Sequence, residues 1–354
     1  MERIVLVAPK LELRGATIYT LMLAKELKLR GYRVAVMAGS GPFADELLSE
    51  RIPFIRADIS GVLIRDLLYL RHYTKLLQPF RPDLIHITHH HLAGLGALIA
   101  RNLKTPYILT ILNPLKRAVP FQNDYLQGAI AISQPVRQSA VNTGLIPREK
   151  VHIIENGVVT GLNPPVKTDS GLIPVVGTVG RLEKDRGIKY FIHAARELVN
   201  RKVQAHFLVL GAGPEEAKIR KLTRALEITE HVTINRASSN YKSLMDPIDI
   251  YVSPALSEGF GLFVMRAMAA AIPVVASAAG GVFSLITDNE TGLIVPKRDA
   301  SLFADKIQAF LDDRAFAESI GLNGFHYVQS RFSYQKNLEK TLKLYHHQEL
   351  ELEE

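Results

Sequence analysis

A glycine-bearing loop between Ser253 and Ser277 is the part of the chain best suited to hold an anion. The sequence reads there as a strand, the loop Glu258-Gly259-Phe260-Gly261, a helix rich in Leu, Met and Ala, and a second strand. Glycines at the start of a helix let the backbone approach a ligand, which then faces unpaired amides and the positive helix end. The pattern predicts a phosphate site, although an ordinary strand-to-helix turn has the same composition.

Three cations follow the predicted strand Val175–Val179 within one short loop: Arg181, Lys184 and Arg186. Cations fixed beside a departing diphosphate stabilise its developing charge more than they stabilise the intact bond. Arg181 is the first candidate for this role, because a guanidinium binds two phosphate oxygens in a fork and a lysine acts as a point charge. A solvated surface loop could contain the same residues.

Two other glycine loops give weaker signals. Gly211 and Gly213 lie between a predicted strand and a predicted helix, but the full dinucleotide-binding fingerprint is missing. Gly15 follows the first predicted strand, where it could present backbone amides to a ligand or simply form a tight turn. Neither loop identifies a ligand by itself.

Composition limits the kind of protein that can carry these loops. The chain has 354 residues, 47% of them hydrophobic, which is enough for two domains with separate cores. It has no cysteine, so disulfides, thiolate metal sites and a cysteine nucleophile are excluded. No apolar run is long enough to cross a bilayer, and the first residues read as a strand more than as a signal peptide. We therefore expect a cytoplasmic protein.

The formal net charge of +8 arises in the first half of the chain. Residues 1–165 contain 20 Lys and Arg against 12 Asp and Glu, whereas the remainder has 23 of each kind. The segment 64–80 combines basic side chains with apolar residues at helical spacing. This combination is typical of a helix that touches the anionic inner face of a membrane. A helix with a solvated basic face is the plainer explanation. No basic module interleaved with aromatic residues occurs, so nucleic acid is not an expected partner.

Short apolar strands alternate with helices along both halves of the chain. This alternation predicts an α/β fold of two Rossmann-like domains with parallel sheets that face each other across a cleft. The alternation loosens at 161–165, which gives predicted domains at 1–162 and 163–330. Residues 331–354 are predicted as a terminal helix that could pack on either domain, including a return to the first. Ligands bind at the carboxyl ends of such strands, so the cleft is the predicted site.

Several sequence blocks, in this order, resemble the retaining glycosyltransferases with two Rossmann-like domains, the GT-B type, and family 4 in particular. The resemblance implies transfer of a hexose-type sugar from a nucleotide-sugar donor to a glycan or lipid-linked acceptor of the cell envelope. It also implies retained anomeric configuration, no cofactor and no metal held by the protein. The blocks are PDLIHITHHHLAG at 82–94, VHIIENGV at 151–158, VGRLEKDRG at 179–187, LVLGAGPE at 208–215, DIYVSPALSEGFGL at 249–262 and TGLIVPKRD at 291–299.

The resemblance also implies roles for individual residues. Glu258 would be the first glutamate of a paired-glutamate motif beside the transferred sugar, and Arg181 and Arg186 would hold the diphosphate. His86 and His89 would lie on the acceptor side. The other donor contacts would come from Gly15, Gly180, Lys184, Gly211, Gly213, Gly259, Phe260, Gly261, Leu262 and Arg266.

The chain departs from the family pattern at several positions. The second motif glutamate should stand eight positions after Glu258, where this chain has Arg266. A guanidinium has donors but no acceptor, so it cannot accept hydrogen bonds from two ribose hydroxyls as that glutamate does. Where the family commonly has proline and glutamate, this chain has Phe283 and Ser284. The alternative function is therefore a non-catalytic relative that binds a sugar, a nucleotide or a partner glycosyltransferase.

Overall fold

The structure, a computed structural model, describes residues 2–59, 63–159, 161, 163–165, 173–236, 241–259 and 261–348. Within that description, the side chains at 63, 64, 241, 242 and 284 are left out. The chain divides into two compact units, one formed by Met1–Asn156 with Gln335–Glu354 and the other by Gly157–Tyr334. Each unit has its own parallel sheet and its own core.

The first unit contains a sheet of seven parallel strands among the described residues. They lie in the order β3-β2-β1-β4-β5-β6-β7. The two central strands, Leu84–Ile87 and Tyr107–Ile111, are buried along their whole length, because helices cover both faces of a parallel sheet. In chain order the strands are β1 (Arg3–Val7), β2 (Arg33–Ala38), β3 (Phe54–Arg56), β4 (Leu84–Ile87), β5 (Tyr107–Ile111), β6 (Leu126–Ala131) and β7 (Val151–Ile153).

The helices of the first unit alternate with these strands. The segment predicted as one helix over 64–80 is divided into two helices, with Tyr69 in a turn between them and a short 3-10 turn, Gln78–Phe80, after the second. The helices are α1 (Gly15–Leu29), α2 (Ala44–Ser49), α3 (Leu63–Leu68), α4 (Leu70–Leu77), α5 (Ala93–Leu103) and α6 (Gln134–Asn142).

The second unit contains six parallel strands among its described residues, in the order β10-β9-β8-β11-β12-β13. Its strands are β8 (Val175–Val179), β9 (His206–Leu210), β10 (Val232–Asn235), β11 (Ile250–Ser253), β12 (Val274–Ser277) and β13 (Leu293–Val295). Its helices are α7 (Ile188–Asn200), α8 (Glu216–Ala225), α9 (Leu262–Ala269), α10 (Val282–Leu285), α11 (Ala300–Asp312) and α12 (Arg314–Arg331). Apolar side chains of α7, α11 and the sheet form one continuous core.

The last helix, α13 (Tyr334–Tyr345), packs against the sheet of the first unit. Gln127 donates from its side-chain nitrogen to the carbonyl oxygens of Leu344 and Tyr345, at 2.6 and 2.9 Å. A methyl carbon of Leu344 lies so close to Gly128 that a Cβ there would approach it to 2.8 Å. The end of this helix is thus fixed on β6.

The predicted fold class, two Rossmann-like α/β units with parallel sheets, is confirmed. In each unit the strand order reverses next to the first strand, between β1 and β4 and between β8 and β11. Loops that follow neighbouring strands diverge at such a point and leave a crevice at the carboxyl ends, where ligands bind. Among the described residues, no helix has the length and apolar character that a membrane crossing requires.

Candidate functional site

A small pocket lies at the point in the second unit where the strand order reverses. It opens at the carboxyl ends of β8 and β11, which are neighbouring parallel strands. The cavity measures about 10 Å³, which is room for about one water molecule. Its lining includes Thr178, Gly180, Arg186, Tyr251, Ser253 and Glu258.

Arg186 and Glu258 form an ion pair in this pocket. The Arg186 Nη1 donates to Glu258 Oε2 at 2.6 Å, and the two side chains are 32% and 14% exposed. The other carboxylate oxygen, Oε1, accepts from the backbone amide of Gly259 at 3.1 Å. One carboxylate therefore occupies two donors that the sequence predicts for a phosphate.

Electrostatics in the pocket follow from this carboxylate. Burial alone would lower the pKa of Arg186, but the negative charges of Glu258 and Asp185 outweigh it and raise that pKa. Burial raises the pKa of Tyr251, and the charge of Glu258 raises it further. The pocket thus holds a fixed cation next to a neutral phenol.

Backbone contacts hold the loop of Arg186 against the loop of Glu258. The amide of Leu256 donates to the carbonyl of Asp185 at 2.7 Å. Gly187 has a φ of +64°, and a Cβ at this position would lie 2.0 Å from the carbonyl oxygen of Pro254. Only glycine tolerates both the conformation and the approach, so the two loops are positioned before any ligand binds.

A third loop holds Glu258 from the other side. Gly280 has a φ of +54°, and a Cβ there would lie 1.9 Å from the Glu258 carbonyl oxygen. The next amide, of Gly281, donates to the carbonyl of Gly259 at 3.0 Å. Gly280 is absent from the predicted site residues, and the adjacent glycines at 280 and 281 are the signal that could have indicated it.

The other two predicted cations differ in position from Arg186. Arg181 forms an ion pair with Glu183, and its side chain is 23% exposed. Lys184 is exposed. Among the described residues, neither of these cations lines the pocket with Glu258. Arg186 is therefore the cation that the structure brings to the motif glutamate, and the diphosphate roles of the other two stay predictions.

The glycines at 180, 211 and 213 have a packing role. A Cβ at Gly211 would lie 1.9 Å from the Gly180 carbonyl oxygen, and one at Gly213 would lie 2.4 Å from that of Leu182. The amide of Leu182 donates to the carbonyl of Ala212 at 3.0 Å. The loop after β9 is thus pressed against the loop after β8. Donor contacts from these glycines stay predictions.

Helix α9 begins where the sequence places it. Gly261, with a φ of +74°, precedes its first residue, Leu262, which is buried. Arg266 follows one turn later and is partly buried. Phe260 lies outside the described residues, and so does the side chain of Ser284.

His86 belongs to a buried chain of hydrogen bonds in the first unit. Its Nδ1 is 2.6 Å from the hydroxyl of Tyr345, and its Nε2 is 2.7 Å from Oγ1 of Thr110. That Oγ1 is in turn 3.2 Å from the hydroxyl of Tyr19. Burial lowers the pKa of His86 to about 3, so the ring is neutral. Because the side chain is fully buried, it can act on an acceptor only through the residues it contacts.

His89 stands nearer the surface, at the carboxyl end of β4. Its ring stacks on that of His90, with centroids 4.7 Å apart, and its Nδ1 accepts from the backbone amide of His91 at 3.2 Å. Burial and the neighbouring positive charges, including Arg14, lower the pKa of His89 to about 2. Gly15 opens α1 beside Arg14. The acceptor-side and donor roles of His89 and Gly15 stay predictions.

We expect Tyr345→Phe to lower the free energy of unfolding of the first unit by about 1–3 kcal/mol, because the buried Nδ1 of His86 loses its partner. Denaturant unfolding monitored by circular dichroism measures the loss. Tyr32→Phe is the matched control, since its hydroxyl contacts Nε2 of His346 at 2.9 Å in an exposed setting. We expect that control to change stability by less than about 0.5 kcal/mol; equal losses would contradict a special role for the buried chain.

Two protein-family models match consecutive halves of the chain. The model described as "Glycosyltransferase Family 4" matches residues 13–162, and the model described as "Glycosyl transferases group 1" matches residues 171–327. Each matched range falls almost entirely within one of the two units. The chain belongs to the glycosyltransferases of the GT-B fold. Among its described residues, this GT-B glycosyltransferase has no group of three or more side chains that could hold a metal ion.

Curated proteins are similar to this GT-B glycosyltransferase over part of its length. It is 27% identical over 230 residues to the capsular polysaccharide biosynthesis glycosyltransferase CapM of Staphylococcus aureus, covering 61% of this chain and 60% of that protein. It is 31% identical over 162 residues to the alpha-D-kanosaminyltransferase of Streptomyces kanamyceticus, covering 45% and 42%. The chain thus spans less than two thirds of the length of these relatives.

Solved structures share the fold over the full length. HepE of Anabaena, determined in complex with UDP and glucose, has a TM-score of 0.79 at 20% identity, covering 98% of this chain and 100% of that one. The sucrose-phosphate synthase of Thermosynechococcus elongatus has a TM-score of 0.76 at 20% identity, covering 98% and 99%. At these identities the likeness establishes the fold alone.

Proposed function

We propose that this protein transfers a sugar from a nucleotide-sugar donor to a glycan or lipid-linked acceptor of the cell envelope, with retained anomeric configuration. The observation that supports it best is the convergence of the Arg186 guanidinium and the Gly259 amide on one carboxylate at the carboxyl ends of β8 and β11. Two donors that hold a carboxylate are suited to hold phosphate oxygens as well. The name of CapM, a capsular polysaccharide biosynthesis glycosyltransferase, supports a cell-envelope acceptor.

In the proposed reaction, the bond between the anomeric carbon of the sugar and the diphosphate breaks, an acceptor hydroxyl oxygen bonds to that carbon, and the hydroxyl proton is released as the nucleoside diphosphate leaves. Arg186 and the amides at the start of α9 would face the oxygen atoms on which negative charge develops, and donors positioned in advance favour that step. Glu258, next to Arg186, would accept hydrogen bonds from sugar hydroxyls. Retention of configuration is carried over from the family resemblance. We also propose that the reaction needs no metal bound by the protein. Excess chelator should therefore leave the rate of transfer unchanged.

The alternative is a non-catalytic relative, which the presence of Arg266 in place of the second motif glutamate favours. Calorimetry with UDP, GDP, ADP and dTDP, followed by hydrolysis assays with the corresponding nucleotide sugars, separates the two. We expect micromolar to millimolar binding of one nucleotide and slow release of its sugar. Binding without hydrolysis or transfer would favour the non-catalytic protein, and no binding across the panel would refute the donor site.

We also propose that the first unit touches an anionic membrane at the cytoplasmic face through α3 and α4. Leu68 is 81% exposed and Tyr69 is 50% exposed, next to the exposed side chains of Arg65 and Arg71. Apolar and basic side chains together favour such a surface. Arg65 forms an ion pair with Asp58 at 3.8 Å, and both side chains are more than half exposed.

We expect the protein to co-sediment with vesicles containing phosphatidylglycerol, and the bound fraction to fall as salt rises. Replacing both Arg65 and Arg71 with Gln should weaken partitioning about 10- to 30-fold, since each basic residue near such a surface contributes about 1 kcal/mol. Arg201→Gln in the second unit is the control. Equal binding to vesicles of phosphatidylcholine alone would contradict the proposal.

A further inference from the structure

The carboxylate of Glu258 occupies the position that a phosphate would need. Its two oxygens accept from the two donors named above, Arg186 Nη1 at 2.6 Å and the Gly259 amide at 3.1 Å. A carboxylate and a phosphate present similar acceptor oxygens to a guanidinium and a backbone amide. Glu258 is thus an internal anion on the donors that the proposed function assigns to the diphosphate.

This arrangement is built into the backbone of the loops. The amide of Leu256, in the loop of Glu258, donates a hydrogen bond to the carbonyl of Asp185, in the loop of Arg186. Gly187 and Gly280 lie so close to neighbouring carbonyl oxygens that a Cβ would not fit at either position. The cavity beside the pair has room for about one water molecule. A diphosphate therefore cannot reach Arg186 Nη1 and the Gly259 amide while the carboxylate holds both.

The consequence differs between a nucleotide sugar and a bare nucleoside diphosphate. Either ligand would take the donors from Glu258 and leave a carboxylate that is only 14% exposed. An anion so placed needs new hydrogen-bond donors. Sugar hydroxyls next to the diphosphate can supply them, but a nucleoside diphosphate has no hydroxyl there.

We propose that Glu258 determines specificity by competing with the diphosphate for Arg186 and Gly259, so that the pocket favours the nucleotide sugar over the nucleoside diphosphate product. This inference rests on the proposed function, because it assigns the pocket to the donor. It makes Glu258 a residue that also promotes release of the product.

Calorimetry with inorganic pyrophosphate, with UDP and GDP, and with UDP-glucose and GDP-mannose tests the inference on the wild-type protein and on Glu258→Gln. The variant keeps the size of the side chain and removes its charge. We expect pyrophosphate and the binding nucleoside diphosphate to bind at least about 10-fold more tightly, since a neutral amide holds the two donors less strongly than a carboxylate does. The nucleotide sugar should not gain affinity.

Two controls separate competition at Arg186 from a general field effect. Glu197→Gln removes a carboxylate on α7 of the same unit, which pairs with Arg201 just after that helix. We expect this variant to bind each ligand with unchanged affinity. In the Arg186→Ala background, Glu258→Gln should tighten pyrophosphate binding by a clearly smaller factor than in the wild-type background, because only the Gly259 amide is left to compete for. Thermal unfolding of each variant verifies that it is folded.

The outcomes distinguish this inference from the proposed function. If the wild-type protein binds a nucleotide but Glu258→Gln tightens nothing, or tightens nucleotide sugar and nucleoside diphosphate equally, competition by Glu258 is wrong and the donor site stands. A gain of undiminished size in the Arg186→Ala background also overturns it. If no phosphate ligand binds the wild type or Glu258→Gln, the proposed donor site itself is wrong.

Discussion

Arg186→Ala should weaken nucleoside diphosphate binding about 100-fold and slow sugar transfer at least as much. The guanidinium is held at 2.6 Å from Glu258 in the pocket at the ends of β8 and β11, and removal of one preorganised donor from a site of developing charge typically costs 100- to 1000-fold. Calorimetry and initial rates of transfer measure the two effects.

Two companion variants make the Arg186 result specific. Arg186→Lys keeps the charge but not the fork of donors, so we expect it to recover part of the loss. Arg201→Ala removes a guanidinium that pairs with Glu197 and Asp305 at the end of α7, and it should leave both binding and rate within about 2-fold. A folded Arg186→Ala protein with wild-type affinity would show that the diphosphate binds elsewhere.

Gly280→Ala should lower the free energy of unfolding of the second unit by about 2–5 kcal/mol and reduce donor affinity. A methyl group at this φ of +54° costs about 1–2 kcal/mol, and its approach of 1.9 Å to the Glu258 carbonyl forces the loop to move, at about 1–3 kcal/mol more. A shift of the reacting groups by about 1 Å can lower a rate about 100-fold. Denaturant unfolding and calorimetry measure both.

Gly31→Ala separates the conformational cost from the collision. Gly31 has a φ of +88°, and a Cβ there would meet nothing within 4 Å. We expect this variant to lose about 1–2 kcal/mol of stability and to keep the donor affinity of the wild type. Unchanged affinity in Gly280→Ala would mean that the position of the Glu258 loop does not matter for the donor.

The alternation of buried strands and helices was readable from the sequence because parallel strands covered on both faces are short, continuous apolar runs. The second unit's first strand was predicted at its observed bounds, Val175–Val179. Helix α12 was not predicted. Glycine disfavours a helix, yet α12 contains Gly321, where a Cβ would lie 2.3 Å from the carbonyl oxygen of Ala271, so tertiary packing selects glycine there.

The candidate site was predictable as a set of loops but not as a geometry. Sequence spacing placed Arg181, Lys184 and Arg186 in one segment and favoured the first. Within the 3-10 turn Lys184–Arg186, however, the lysine faces solvent and Arg186 turns towards Glu258. Which side chain turns inward depends on the loop after β11, which is distant in the sequence.

His86 shows the same limit in the first unit. The family resemblance implies an acceptor-side position for His86, and it gives no hint that the partner of this buried side chain is Tyr345 of α13, more than 250 residues later. Long-range contacts of this kind have no local pattern in the sequence.

A crystal structure of the protein soaked with the nucleoside diphosphate that binds in the panel would test the central claim most directly. The account predicts diphosphate oxygens within hydrogen-bonding distance of Arg186 Nη1 and the Gly259 amide, with the Glu258 carboxylate displaced from both. Density for the diphosphate in another place, with the pair of Arg186 and Glu258 intact, would contradict it.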